Sequence, residues 1–473
     1  MTKGKSHGDI VQRTGDAVKQ HLPALHPREA RQQLHRASTA CDMMGALRQA
    51  VRLHPCFRGF DVTYDHCRKE DMRFTLLPSL ALLCVVTTAA PSLSRAQSST
   101  PTAPPADSSA PTTAPAMSPA APVGATPSVF DNPLPGMPPV LDQQDIYSET
   151  RAEKLSPVVE GFPARIYVPN TVSKTVHVID PTTFKVIDHF PVGREPHHIT
   201  PSYDLQTLWV LNTKSNSLTK IDPATGKKGE TVQVDDPYNM YYTPDGKYAL
   251  VVAEQLKRLD FRDPQTMQLV HSLSVPCNGV DHLDFSANGR YLIASCEYER
   301  KLIKVDVAER KLIGTLKLSR GGRPQDIKLS PDGKVFYVAD MKADGVFLID
   351  GESFTELAFL PTGKGAHGLY VSRDSSVLYV TNRGEGTISL VDFATRKIVN
   401  TWRLPDGGSP DMGGVSIDGK VLWLSGRYHK EVYAIDTSNG QLLARIPVGE
   451  GPHGLCVYPQ PGRYSLGHSG VFR

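Results

Sequence analysis

Long apolar runs are almost absent from this sequence. The one candidate, residues 74–90, has 17 uncharged residues and contains Pro78. A bilayer-spanning helix needs about 20, so no transmembrane anchor is expected. A large net charge is also missing. The formal charge is +3, and residues 97–473 hold 38 Lys+Arg against 41 Asp+Glu. Without a basic excess, nucleic acid is not an expected partner. Cysteine is scarce, with only Cys277, Cys296 and Cys456 beyond residue 96, and no Cys-x-x-Cys-His string exists. Covalent c-type haem is therefore not expected. No nucleophile elbow, phosphate-binding glycine loop or dinucleotide fingerprint occurs, so no enzyme class is announced by motif. Glycine and proline are abundant, at 38 each in 473 residues, and 40% of the chain is hydrophobic. That composition argues against a helical bundle and against wholesale disorder.

The N-terminal third is compositionally distinct. Met72-Arg73, the apolar run and the small residues Ser94 and Ala96 before Gln97 form the pattern of a secretory signal peptide over 72–96. The expectation is an exported protein: periplasmic, cell-surface or extracellular. A signal peptide belongs at a start of translation, so Met72 is the expected start and residues 1–71 a mis-assigned, non-structural extension. Residues 97–140 carry 12 prolines among Ala, Ser and Thr. Such a stretch buries too little apolar surface to order itself, and a linker over 97–145 is expected.

Self-similarity governs the rest. An aromatic or aliphatic pair recurs at Tyr167-Val168, Trp209-Val210, Leu250-Val251, Leu292-Ile293, Tyr337-Val338, Tyr379-Val380 and Trp423-Leu424. An aspartate closes the following strand at Asp180, Asp222, Asp263, Asp306, Asp350, Asp392 and Asp436. A period of about 43 residues holding several short strands is that of a β-propeller blade. The expected fold is all-β: a seven-bladed propeller over 160–460, after a disordered N-terminal region and before a tail, 461–473. His453–Tyr458 has no blade after it, and the first repeat begins at Arg165 without an inner strand. The C-terminal strand is therefore expected to complete blade one, hiding both open edges. The tail is expected to lie back over the ring.

Tyr167-Val168-Pro169-Asn170, Tyr379-Val380-Thr381-Asn382, the Ile-Asp-Pro closures and turns such as Pro331-Asp332-Gly333 resemble the YVTN-repeat, YncE-like bacterial β-propellers. The resemblance implies the architecture. It implies no single chemistry, since the family mixes lactonases, haem d1-type nitrite reductase domains and proteins without an assigned role. No Trp-Asp dipeptide supports a WD40 reading. Three tryptophans are too few for tryptophan-docked quinoprotein blades.

Propellers receive ligands where the loops entering the inner strands converge. The residue after the proline-like position in those loops forms a column in ring order: His453, His197, Tyr238, Asp281, Gln325, His367, Asp411. Ring closure places His367, Asp411, His453 and His197 on four consecutive blades. Three imidazoles and a carboxylate suit a divalent metal such as Zn²⁺, Cu²⁺ or Fe²⁺. His198 and His282 stand one residue deeper as supporting or competing groups. Arg194, Lys364, Arg383 and Arg427 offer positive charge to an anion. Two other readings stand beside the metal: a polar structural ring built from repeat consensus, and a metal-free ligand site. A hairpin centred on Asn288-Gly289 pairs Cys296 with Asp281, four residues from Cys277, and an oxidising compartment permits a Cys277–Cys296 disulfide if the loop folds back. Cys456 is expected as a buried thiol. The leading functional expectation is an exported scaffold that binds a protein or small-molecule ligand on its face. The alternative is a lactonase-like hydrolase or metal-dependent oxidoreductase at the channel mouth.

Overall fold

The computed structural model describes residues 128–468 and 471–473. The extension at 1–71, the signal segment and the linker up to residue 127 lie outside the described residues. The described strands form seven four-stranded antiparallel sheets. Blade two is typical: inner strand Pro196–Pro201, then Leu208–Asn212, Ser217–Asp222 and the outer strand Lys227–Gln233. Blade one takes Cys456–Tyr458 as its inner strand beside Arg165–Asn170, with Tyr167 opposite Cys456. The ring is closed as the repeats require.

The recurring residues act locally. The closing aspartates cap the turn that follows: Asp222 accepts from Ala224 N (2.9 Å) and Thr225 Oγ1 (2.8 Å), and Asp392 does the same for Thr395. These are Asx-type turns, in which a short carboxylate replaces the missing backbone acceptor. The Asn ending Tyr379–Asn382 donates to Thr387 Oγ1 and Ser389 Oγ, both at 3.0 Å, and so staples the next hairpin.

Apolar burial is divided among the seven blade interfaces. Tyr167, Val176 and Val178 meet Ile199, Leu208 and Val210 between blades one and two. Ile166 and Val168 meet Trp423 and Val432 between blades one and seven. The inner three strands of each blade are buried on both faces, while outer strands such as Lys185–Pro191 alternate or lie open.

Two segments depart from expectation. The linker expected up to residue 145 gives way earlier, because residues 128–147 pack against blades four and five, and the stretch after them reaches blades six, seven and one through Thr150, Glu153 and Val159. Leu134 N donates to Asn288 O (2.8 Å), Ile146 N to Pro331 O (2.9 Å), and the buried Tyr147 hydroxyl to Leu329 O (2.7 Å). Proline-rich composition did not prevent docking, because Leu134, Ile146 and Tyr147 supply apolar anchors. The tail lies back against the face of the ring, where Ser465 N donates to Tyr203 O (3.3 Å) and Tyr464 stacks on Tyr203, and then goes further than expected by entering one end of the channel. Tyr242 N donates to Leu466 O, His468 N to Met240 O, and Arg473 pairs with Asp284 at 3.2 Å. The inner strands finish at this end. At the other end they begin, and there the column residues gather. Among the described residues no helix is long and apolar enough to cross a membrane.

Candidate functional site at the channel end

The inner strands share a defect that aims the site. In blades two, four, five, six and seven the register breaks just after the first residue, leaving two residues opposite one: Pro196/Ile199, Val280/Leu283, Pro324/Ile327, Ala366/Leu369 and Pro410/Gly413. The bulged pairs are therefore His197-His198, Asp281-His282, Gln325-Asp326, His367-Gly368 and Asp411-Met412. A β-bulge turns side chains out of the ordinary alternation, and here it takes two adjacent residues per blade out of that alternation. In three blades a hydroxyl on the neighbouring strand accepts the freed backbone N–H. Thr381 takes Gly368 N (2.8 Å), Ser295 takes His282 N (3.1 Å) and Ser425 takes Met412 N (3.3 Å). The bulge also corrects the expected register, since Cys296 faces Val280, not Asp281. The Cys277–Cys296 disulfide is present, with Cα atoms 5.3 Å apart, and Cys456 is a buried free thiol.

All seven column residues are buried, each less than a tenth exposed. Asp411 is the hub of one half. It meets His367 Nδ1 at 2.9 Å, His453 Nδ1 at 2.8 Å and the Arg383 guanidinium at 3.1 Å. Burial opposes its charge, but Arg383, His367 and His453 outweigh burial and hold the carboxyl well below its usual range. Burial depresses the pKa values of His197, His198 and His453 well below 6.5, so these rings are neutral at pH 7. His282 behaves differently: burial would lower it, but Asp281 Oδ1 at 2.7 Å holds it up.

The predicted metal arc does not assemble as four ligands. Asp411 is engaged by His367 and by Arg383. Instead, two other groups of three bring ring nitrogens within 4.8 Å of one another: His197, His198 and His453, and His198, His282 and His468. His198 and His282, expected as supporting groups, are central. His468 had no signal in the sequence, because the tail has no repeat column to place it in. Its ring lies 4.2 Å from that of His198 and 4.9 Å from that of His282.

A second ring surrounds the first. The residue following each second strand reads Thr171, Thr213, Glu254, Glu297, Met341, Arg383 and Arg427. Two acids on blades three and four thus stand away from two arginines on blades six and seven. Glu254 is pushed up to about 8, first by burial and then by the Asp281 charge, and Glu297 is raised for the same reasons although Arg323 pairs with it at 2.6 Å. Glu254 Oε1 and Arg427 Nη1 are buried without hydrogen-bond partners. The acids lie outside the inner-strand column, and the same alignment one strand later contains them. Arg194 and Lys364 are exposed and stand outside this ring. Tyr238 packs on His197 at 4.5 Å, and the Gln325 amide donates to Arg323 O at 3.3 Å.

A family model described as YncE-like β-propeller matches residues 155–462. The chain belongs to the YncE-like β-propeller family. The YncE proteins of Salmonella typhi and Salmonella typhimurium are each 24% identical over 275 residues, covering 53% of this chain and 74% of theirs. Antigen Lp49 of Leptospira interrogans is 26% identical over 179 residues, 33% of this chain and 38% of its own length. Among solved structures, a protein of Desulfotomaculum acetoxidans matches with a TM-score of 0.55 at 17% identity, covering 62% of this chain and 98% of that one. Hydrazine synthase of Kuenenia stuttgartiensis matches at 0.52 and 19%, covering 60% and 97%. At such identities the structural likeness speaks for the fold alone.

Proposed function

We propose that this YncE-like propeller is an exported binding protein that receives a small dipolar ligand at the open channel end. The ligand's cationic group would face Glu254, Glu297 and Asp281, and its anionic group Arg427. The observation that carries this is the split rim: buried acids on two adjacent blades, arginines on two others, and unpartnered atoms on both sides. Buried polar atoms are nearly always partnered, so idle ones aimed at a channel favour a ligand. Arg383 is already held by Asp411, which leaves Arg427 as the anion's partner. Export is supported by the signal-peptide pattern and by the Cys277–Cys296 disulfide, a bond typical of oxidising compartments.

Calorimetric titration with amino acids, betaines and singly charged analogues tests the reading. Dipolar compounds are expected to bind, and analogues lacking either charge to lose at least about tenfold, the equivalent of about 1.4 kcal/mol. Because Glu254 holds its proton up to about pH 8, affinity for the cationic group should rise as pH climbs through 8, and Glu254→Gln should remove that rise. Equal binding of neutral and dipolar analogues would overturn the reading.

A second reading, an enzyme at the same end, is favoured by Glu254 alone, because a carboxyl titrating near neutrality is matched to proton transfer. A lactone panel assayed with wild type and Glu254→Gln addresses it. Turnover lost in the variant would support it, and no turnover would set it aside.

A further inference from the structure

We propose that His197, His198 and His453 form a binding site for one divalent late first-row transition ion, deeper in the channel than the rim and independent of the dipolar-ligand reading. The three rings come from blades one and two, and their ligand nitrogens lie within 4.8 Å of one another. A tetrahedral ion with metal–nitrogen distances of about 2.0–2.1 Å spaces its ligands about 3.4 Å apart, so a closure of at most about an ångström and a half completes the set. His198 and His453 are no more than 2% exposed, and His197 is 7% exposed.

Three further observations point to a cation and not to a merely polar ring. First, both nitrogens of His198 and Nδ1 of His197 are buried with no hydrogen-bond partner. A structural histidine in a packed interior normally satisfies both. Second, Asp411 accepts from His453 Nδ1 at 2.8 Å. That bond fixes the tautomer that leaves Nε2 free, in the carboxylate–histidine–metal order that supporting carboxylates adopt around metal ions. Asp411 is itself fixed by Arg383. Third, the backbone is cut to fit the rings. His198 and Gly454 pair as a parallel bridge, with Ile199 N donating to Gly454 O (3.1 Å) and Gly454 N to His197 O (3.0 Å). A Cβ on Gly454 would stand 1.9 Å from His198 Nδ1. A glycine here lets blade one approach blade two closely enough for their imidazoles to share one centre.

The donor set defines the ion. Three neutral imidazoles suit Zn²⁺, Cu²⁺ and Ni²⁺, and the usual order of affinities puts copper first. Hard ions that prefer oxygen, such as Mg²⁺ and Ca²⁺, are disfavoured. The second group, through His468 of the tail, is the competing location.

The test uses the full chain without an affinity tag, stripped with chelator and titrated with Cu²⁺, Zn²⁺ and Co²⁺. One equivalent per chain is expected by elemental analysis, with copper tighter than zinc. Pulsed electron paramagnetic resonance of the copper form should show coupling to imidazole nitrogen. His198→Ala should abolish binding, and Asp411→Asn, which keeps the side-chain shape, should weaken it by about 10–100-fold. His468→Ala should leave the stoichiometry and affinity in place. Three results would each overturn the proposal: less than one saturable equivalent in the wild type, a copper spectrum without nitrogen coupling, or loss of binding in His468→Ala with retention in His197→Ala. The wild-type titration and spectrum decide the matter even where a variant does not fold.

Discussion

Asp411 is fully buried, and three side chains stand where solvent would otherwise stabilise its charge. Removing the carboxylate while leaving Arg383 buried beside it would strand a charge. Losing one member of such a buried pair costs about 3–5 kcal/mol, so Asp411→Ala is expected to lower stability by that amount in urea unfolding. The histidines around it set the response to acid. His197, His198, His453 and His468 are all held well below 6.5, chiefly by burial. Their contribution to stability is complete above about 6.5 and is lost as pH falls toward the folded values, because the unfolded chain takes up protons first. His282, held up by Asp281, works in the opposite direction. Melting temperature should therefore decline between pH 6.5 and 4.5, before Asp411 itself is titrated. A flat profile across that interval would contradict the burial of neutral rings.

At the scale of strands, the bulge decides what reaches the channel. Ser295 Oγ accepts from His282 N and donates to His282 O (3.2 Å). Ser295→Ala leaves both backbone groups of a buried residue without this partner, and an unsatisfied buried group costs about 1–3 kcal/mol. The variant should lose stability on that scale, and the His282 ring resonance should shift in NMR spectra. The strands themselves were readable in the sequence, because alternating burial and turn residues repeat in every blade. The column was readable too, since a proline-like residue marks the start of most bulges. The register at Cys296 differs by one residue from the one the hairpin predicts, because a bulge adds a residue that period-two alternation does not announce. His468 was unreadable for a different reason: its position depends on tail docking through Leu466 and Arg473, which no repeat encodes. The rim acids lay one column away from the column that was read.

The whole ring hangs on the junction of its two ends. Cys456–Tyr458 lies beside Arg165–Tyr167, and the residues that follow plug one end of the channel. A chain ending before Pro452 would expose two strand edges and lose His453, while one ending after Gln460 would keep the ring and lose only the plug. The shorter chain should unfold broadly and non-cooperatively in calorimetry, and the longer should retain a single transition at a lower temperature. Indistinguishable thermograms would mean that the closing strand carries no special share of the stability.

The closing strand also sets an order of events. Blade two displays its two histidines long before the ribosome reaches Gly451-Pro452-His453, and the third imidazole comes only with the segment that locks the circle. A nascent or clipped chain therefore has part of the cluster and none of its geometry. An ion held in the proposed site by all three imidazoles would therefore mark a molecule whose first and last strands have met.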